Sequence, residues 1–173
     1  MERYGVKAKR IAAASVFTAL MVVLVYLSSF FSTMSMSIIA IAGVISAVLV
    51  SEYGLSTAAM AYVSATVLTL VLVPDKSNAI LFAIMFGNYP IIQNIVERVK
   101  SKWLTWCIKL IAANLIFLIT WILFKTLFFA ETEYVTGIGW ILWAGANAVF
   151  VMYDICLKKL VIFYKIRVAN RIR

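Results

Sequence analysis

Few residues in this chain can do chemistry, and three asparagines stand out among them. Asn88, Asn114 and Asn147 each fall near the middle of a long apolar run. An amide buried in hydrocarbon without a partner costs on the order of several kcal/mol. Each must therefore hydrogen-bond a neighbouring helix or help to line a site for a polar ligand, and the residues alone leave both readings open. The stretch Gly87-Asn88-Tyr89-Pro90 adds weight to the second. A proline in mid-helix frees a carbonyl, a nearby glycine lets the backbone bend, and discontinuous helices at the membrane midplane are where transporters place their sites.

Charge and aromatic residues complete the set. Pro74-Asp75-Lys76-Ser77-Asn78 joins two apolar runs and carries both signs of charge, with Ser77 or Asn78 expected to cap the following helix. Glu131 and Glu133 add acid to a later loop. Trp121, Trp140 and Trp143 read either as an interfacial aromatic belt or as surfaces on which a flat organic ligand stacks. Asp154 and Lys158 have the i, i+4 spacing of a local ion pair.

Several kinds of chemistry are excluded. The chain has no histidine, which removes His-based triads and most zinc sites. It has no Gly-x-x-x-x-Gly-Lys nucleotide loop, no paired cysteines at metal spacing and no Gly-x-Ser-x-Gly elbow, so neither a catalytic site nor a metal or cofactor is expected. Cys107 and Cys156 read as packing residues near the inner ends of spans. The net charge of +9 is clustered between and beyond apolar runs, a pattern of topology signals and acidic-lipid attraction rather than of nucleic-acid binding.

The elements that position these residues are membrane spans. Of the 173 residues 65% are hydrophobic and 13% charged, with a mean hydropathy of +1.02; soluble domains are nearer half apolar and about a quarter charged. Each span needs roughly 20 residues of helix, and lipid-embedded backbone must satisfy itself internally. The expectation is one all-α transmembrane domain over residues 1–173, with spans at about 11–31, 35–50, 55–73, 79–96, 106–129 and 137–157 and an amphipathic basic tail at 158–173. The Ser51–Gly54 turn makes a hairpin of the second and third spans, its glycine suited to a helix end.

Six spans with both termini inside place the basic residues at 3, 7, 9, 10, 98, 100, 102, 109, 158, 159, 165, 167, 171 and 173 on the cytoplasmic side, leaving only Lys76 and Lys125 outside. That asymmetry is the one expected of short loops in a plasma-membrane protein.

The opening Lys9-Arg10-Ile11-Ala12-Ala13-Ala14-Ser15-Val16-Phe17-Thr18-Ala19-Leu20 resembles the first helix of substrate-binding S components of energy-coupling factor transporters. Ala8 with Ala12, and Ser15 with Ala19, supply small residues four apart, a spacing that admits a close partner helix. Chain length, span number and basic character also resemble that family. The resemblance implies capture of a small organic, vitamin-like nutrient from outside, energised by a separate transmembrane coupling subunit and ATPases. Pocket candidates, chosen by depth and chemistry, are Asp75 and Lys76 for charge recognition, Asn88, Asn114 and Asn147 for amide hydrogen bonding, and Trp121 and Trp143 for stacking. The alternative is a noncatalytic scaffold or assembly subunit of a cell-envelope complex, whose asparagines only join helices. A membrane-embedded enzyme is disfavoured, because no acid, base and nucleophile converge.

Overall fold

The computed structural model describes residues 2–99, 101–128 and 139–169. Lys100, Glu131, Glu133, Arg171 and Arg173 lie outside the described residues, as do the side chains of Arg3, Lys7, Lys102, Lys125 and Trp140. All regular structure among the described residues is helical: α1 (Glu2–Ser28), α2 (Ser35–Tyr53), α3 (Leu55–Leu72), α4 (Lys76–Leu81), a π-helical turn (Phe82–Phe86), α5 (Tyr89–Val96), α6 (Lys102–Phe128), α7 (Gly139–Tyr164) and a final π-helical turn (Lys165–Ala169).

Among the described residues five stretches are long and apolar enough to cross a membrane: Ala8–Ser28, Ser35–Tyr53, Leu55–Leu72, Lys76–Val96 and Trp103–Leu123. The chain is therefore an all-α, multi-pass membrane protein. Helix α7 spans 26 residues, but its C-terminal half carries Asp154, Lys158 and Lys159.

The chain divides into two compact units, Met1–Ile95 and Val96–Arg173. In the first, α1, α2 and α3 pack on one another and α2 also meets the π-helical turn. Small residues make this possible. Ala58, Ala61, Ala65 and Thr69 form the buried stripe of α3, and Ala42, Gly43, Ser46 and Ala47 are buried on α2. In lipid no hydrophobic force drives helices together, so close van der Waals approach across small side chains must do so. Met21, Val22 and Val25 of α1, Ile39 and Leu49 of α2, and Phe82 fill the remaining core. Thr18 Oγ1 donates to Ala61 O across 3.3 Å, fastening α1 to α3.

Boundaries depart from the sequence expectation where backbone hydrogen bonding overrides composition. Helix α2 runs on to Tyr53, because serine and glutamate at 51 and 52 are tolerated in a last turn, and the turn shrinks to Gly54. Its φ of +85° suits glycine, and its N–H closes α2 on Val50 O. The residue capping α4 is Asp75, whose Oδ1 accepts from Ser77 N at 2.9 Å, rather than Ser77 or Asn78. The basic tail continues α7 to Tyr164, with Arg167 over the Phe163 ring at 5.5 Å.

In the second unit α6 and α7 form an antiparallel pair. Phe117 meets Trp143 and Phe150 edge-on, with centroids 6.2 and 6.3 Å apart.

Candidate functional site

The fourth span is broken in its middle, as the glycine and proline predict. Pro90 has no N–H to give, and Gly87 N bonds back five residues to Phe82 O at 2.8 Å, the widened turn of a π-bulge. Neighbouring helices hold the break. Tyr62 of α3 donates its hydroxyl to Ala83 O, and Ser46 of α2, fully buried, donates to Gly87 O at 3.3 Å. A Cβ on Gly87 would lie 2.9 Å from Tyr62 Cε2 and 3.0 Å from Phe82 O, so only glycine fits without displacement. Asn88 sits in the turn after the bulge, half-buried, and its carbonyl accepts from Ile91 N and Ile92 N.

Asp75 and Lys76, assigned to charge recognition, are both engaged at helix ends. Asp75 caps α4, and Lys76 Nζ reaches back to Leu70 O and Val73 O, both at 2.9 Å, at the end of α3. A cation there complements the negative end of that helix.

In the second unit Asn114, Asn147 and Trp143 come together. Asn114 Nδ2 donates to Asn147 Oδ1 at 3.0 Å and to Leu110 O at 2.8 Å, while Asn147 Nδ2 donates to Asn114 Oδ1 at 3.2 Å and to Trp143 O at 3.0 Å. Trp143 Nε1 donates to Asn114 Oδ1 at 2.7 Å. An amide offers two N–H donors and two lone pairs, so every N–H of both side chains and both lone pairs of Asn114 are engaged inside this cluster. Beside it lies a groove of about 420 Å³ lined by Leu110, Ile111, Asn114, Leu115, Leu118 and Trp143. Trp121, also on α6, is 43% exposed. The four docking candidates on α1, Ala8, Ala12, Ser15 and Ala19, are all exposed, while Thr18, Met21, Val22 and Val25 of the same helix are buried.

A second polar cluster in this unit escaped the sequence reading. Lys109 and Asp154 are almost fully buried, at 1% and 0% exposure, with Nζ and Oδ1 2.8 Å apart. Lys109 also contacts Glu97 Oε1 at 3.1 Å, and Lys158 closes the ring with Glu97 Oε1 at 3.0 Å and Asp154 Oδ2 at 3.4 Å. Charges alternate around the ring and sum to zero. The expected Asp154–Lys158 pair is thus present, as the longest of the four contacts. Burial pulls the Lys158 ammonium down, but its hydrogen bond to Glu97 and the charges of Asp154 and Glu97 outweigh that and hold its pKa above the ordinary lysine value. Lys158 also stands 5.7 Å from the Trp106 ring centre.

The distribution of basic residues along the sequence places Lys109 with the cytoplasmic charges. A signal was available: it lies inside the fifth apolar run and Asp154 inside the sixth, and two opposite charges within spans call for each other. Cys107 and Cys156 are free and exposed, not packed in the core. Among the described residues no group of histidine, cysteine or carboxylate side chains could hold a metal ion. The chain matches no family model, no curated protein and no solved structure.

Proposed function

We propose that this chain is a noncatalytic subunit of the cell membrane, with six spans and both termini in the cytoplasm, that docks a transmembrane partner along α1. Within such an assembly it serves as the substrate-binding subunit for uptake of a small organic, vitamin-like nutrient, energised by a separate coupling subunit and ATPases. One observation carries the reading: α1 buries one face in its own unit and leaves its small residues, Ala8, Ala12, Ser15 and Ala19, exposed. Exposed small side chains in a span permit a partner backbone to approach closely. The broken fourth span is also a common setting for a substrate site, and the sequence lacks a nucleotide-binding loop of its own. The six spans and their orientation rest on the distribution of basic residues, thirteen inside to two outside once Lys109, buried in a span against Asp154, is set aside.

A second reading, a scaffold or assembly subunit, is favoured by one specific observation. Asn114 and Asn147 direct their N–H groups at each other and at their own helices, which is how amides join helices rather than how they await a ligand.

Affinity purification from the native membrane in mild detergent, with mass spectrometry of retained small molecules and of copurifying proteins, tests both. Nutrient uptake predicts a bound organic molecule and copurifying ATPases. Envelope proteins recovered with neither would overturn it in favour of the scaffold. In the same assay Ala12→Leu or Ala19→Leu should reduce partner recovery while leaving the isolated chain folded.

A further inference from the structure

The charged ring has an unequal construction. Asp154 is fully buried and touches both ammonium groups, so it forms the fixed inner wall. Glu97 stands on the turn that follows α5, is 42% exposed, and presents a single oxygen, Oε1, to both Lys109 and Lys158. With Glu97 removed, two ammonium groups would face one carboxylate. The edge where Glu97 sits would then carry one uncompensated positive charge, with Lys109 fixed almost completely inside the protein.

We propose that Lys109 and Lys158 form a phosphate-binding site and that Glu97 occupies it as an internal stand-in. A phosphate oxygen bridging two ammonium groups makes the same charge-assisted contacts that Glu97 Oε1 makes now, and it restores neutrality in the same way. The surroundings fit the phosphodiester headgroup of an anionic lipid. Trp106 lies against Lys158, Trp103, one turn earlier on α6, is 86% exposed, and Arg98 and Lys159 are exposed nearby in sequence. Exposed indoles near a span end belong at headgroup level, where basic clusters between helices take anionic headgroups. A phosphate group on a soluble metabolite offers the same anion without the acyl chains.

The test uses the full chain in neutral detergent, titrated with short-chain phosphatidylglycerol, short-chain phosphatidylcholine or inorganic phosphate, with bound ligand counted by native mass spectrometry. Glu97→Gln removes the stand-in's charge and should tighten phosphatidylglycerol about fivefold, since one charge near a membrane surface is worth on the order of 1 kcal/mol. Phosphatidylcholine should not respond. Adding Lys158→Gln should abolish the gain, and Lys158→Arg should keep it. A gain for inorganic phosphate as large as that for phosphatidylglycerol would support the same site with a soluble ligand as its occupant. If Glu97→Gln does not fold, Lys158→Gln in the native chain should by itself weaken phosphatidylglycerol about fivefold. Unchanged or weaker binding by Glu97→Gln, or unchanged binding by Lys158→Gln, would overturn the proposal.

Discussion

Replacing Lys109 with methionine keeps an unbranched side chain one heavy atom shorter and removes its charge. Asp154, fully buried, then loses its 2.8 Å partner and retains Lys158 at 3.4 Å, while Glu97 keeps Lys158 at 3.0 Å. Breaking one side of a buried pair leaves an uncompensated charge and costs about 3–5 kcal/mol. Asp154→Leu alone strands Lys109 in the same way and should cost about as much. The double variant Lys109→Met/Asp154→Leu removes both buried charges and leaves Glu97 and Lys158 paired, so its unfolding free energy should lie within about 1 kcal/mol of the native value. Reversible unfolding in mixed micelles, followed by circular dichroism against the fraction of denaturing detergent, gives all four values and hence the coupling energy. Because the central pair is shielded from solvent, that coupling should persist in high salt. A double variant that loses the sum of the two single losses would show that Lys109 and Asp154 do not stabilise each other, and the reasoning would fail.

Gly87→Ala should lower stability by about 1–3 kcal/mol in the same unfolding assay, because its Cβ would meet Tyr62 Cε2 at 2.9 Å and Phe82 O at 3.0 Å. Asn114→Leu should cost more than Asn147→Leu, each on the order of 1 kcal/mol, since only the first deprives Trp143 Nε1 of its acceptor; the pair should be less than additive, and equal, additive losses would argue against a shared network. Cysteines introduced at Ser77 and Thr132, in a chain lacking Cys107 and Cys156, should label from outside with an impermeant thiol reagent, and one at Ser101 should not; the opposite pattern would remove the six-span, inside-terminus topology.

Five of the six expected spans were legible because a bilayer imposes a length and an apolar composition that few soluble helices share. The break in the fourth span was legible for a similar reason: proline cannot complete the helical ladder wherever the rest of the chain lies. What stayed hidden was which face meets which. Hydropathy assigns depth along a helix, but not the rotation that turns Lys109 toward Asp154 or exposes Cys107 and Cys156. Asp75 and Lys76 illustrate the same loss. Their loop position does not reveal that the helix ends on either side supply unsatisfied N–H and C=O groups, which engage both side chains. Asn114 and Asn147 were found by their depth, whereas their mutual pairing depends on a register that apolar periodicity does not encode.

That register follows from where the polar residues fall. On α6, Lys109 and Asn114 are five residues apart; on α7, Asp154 and Asn147 are seven apart and run in the opposite direction. Two antiparallel helices can therefore bring Lys109 to Asp154 and Asn114 to Asn147 simultaneously, as observed. Apolar side chains specify such a pairing weakly in lipid, because leucine against leucine is little better than leucine against an acyl chain. A slip of one helical turn, about 5.4 Å, would leave most apolar contacts replaceable but would separate the ammonium from its carboxylate and the amides from each other. Both polar layers fail together in every slipped arrangement, so they select one register where packing alone would admit several. The amide pair, with its N–H groups directed at neighbouring acceptors, is suited to this task. The charged ring divides its roles, since its outer carboxylate is more than a third exposed while Lys109 and Asp154, almost fully buried, hold the register.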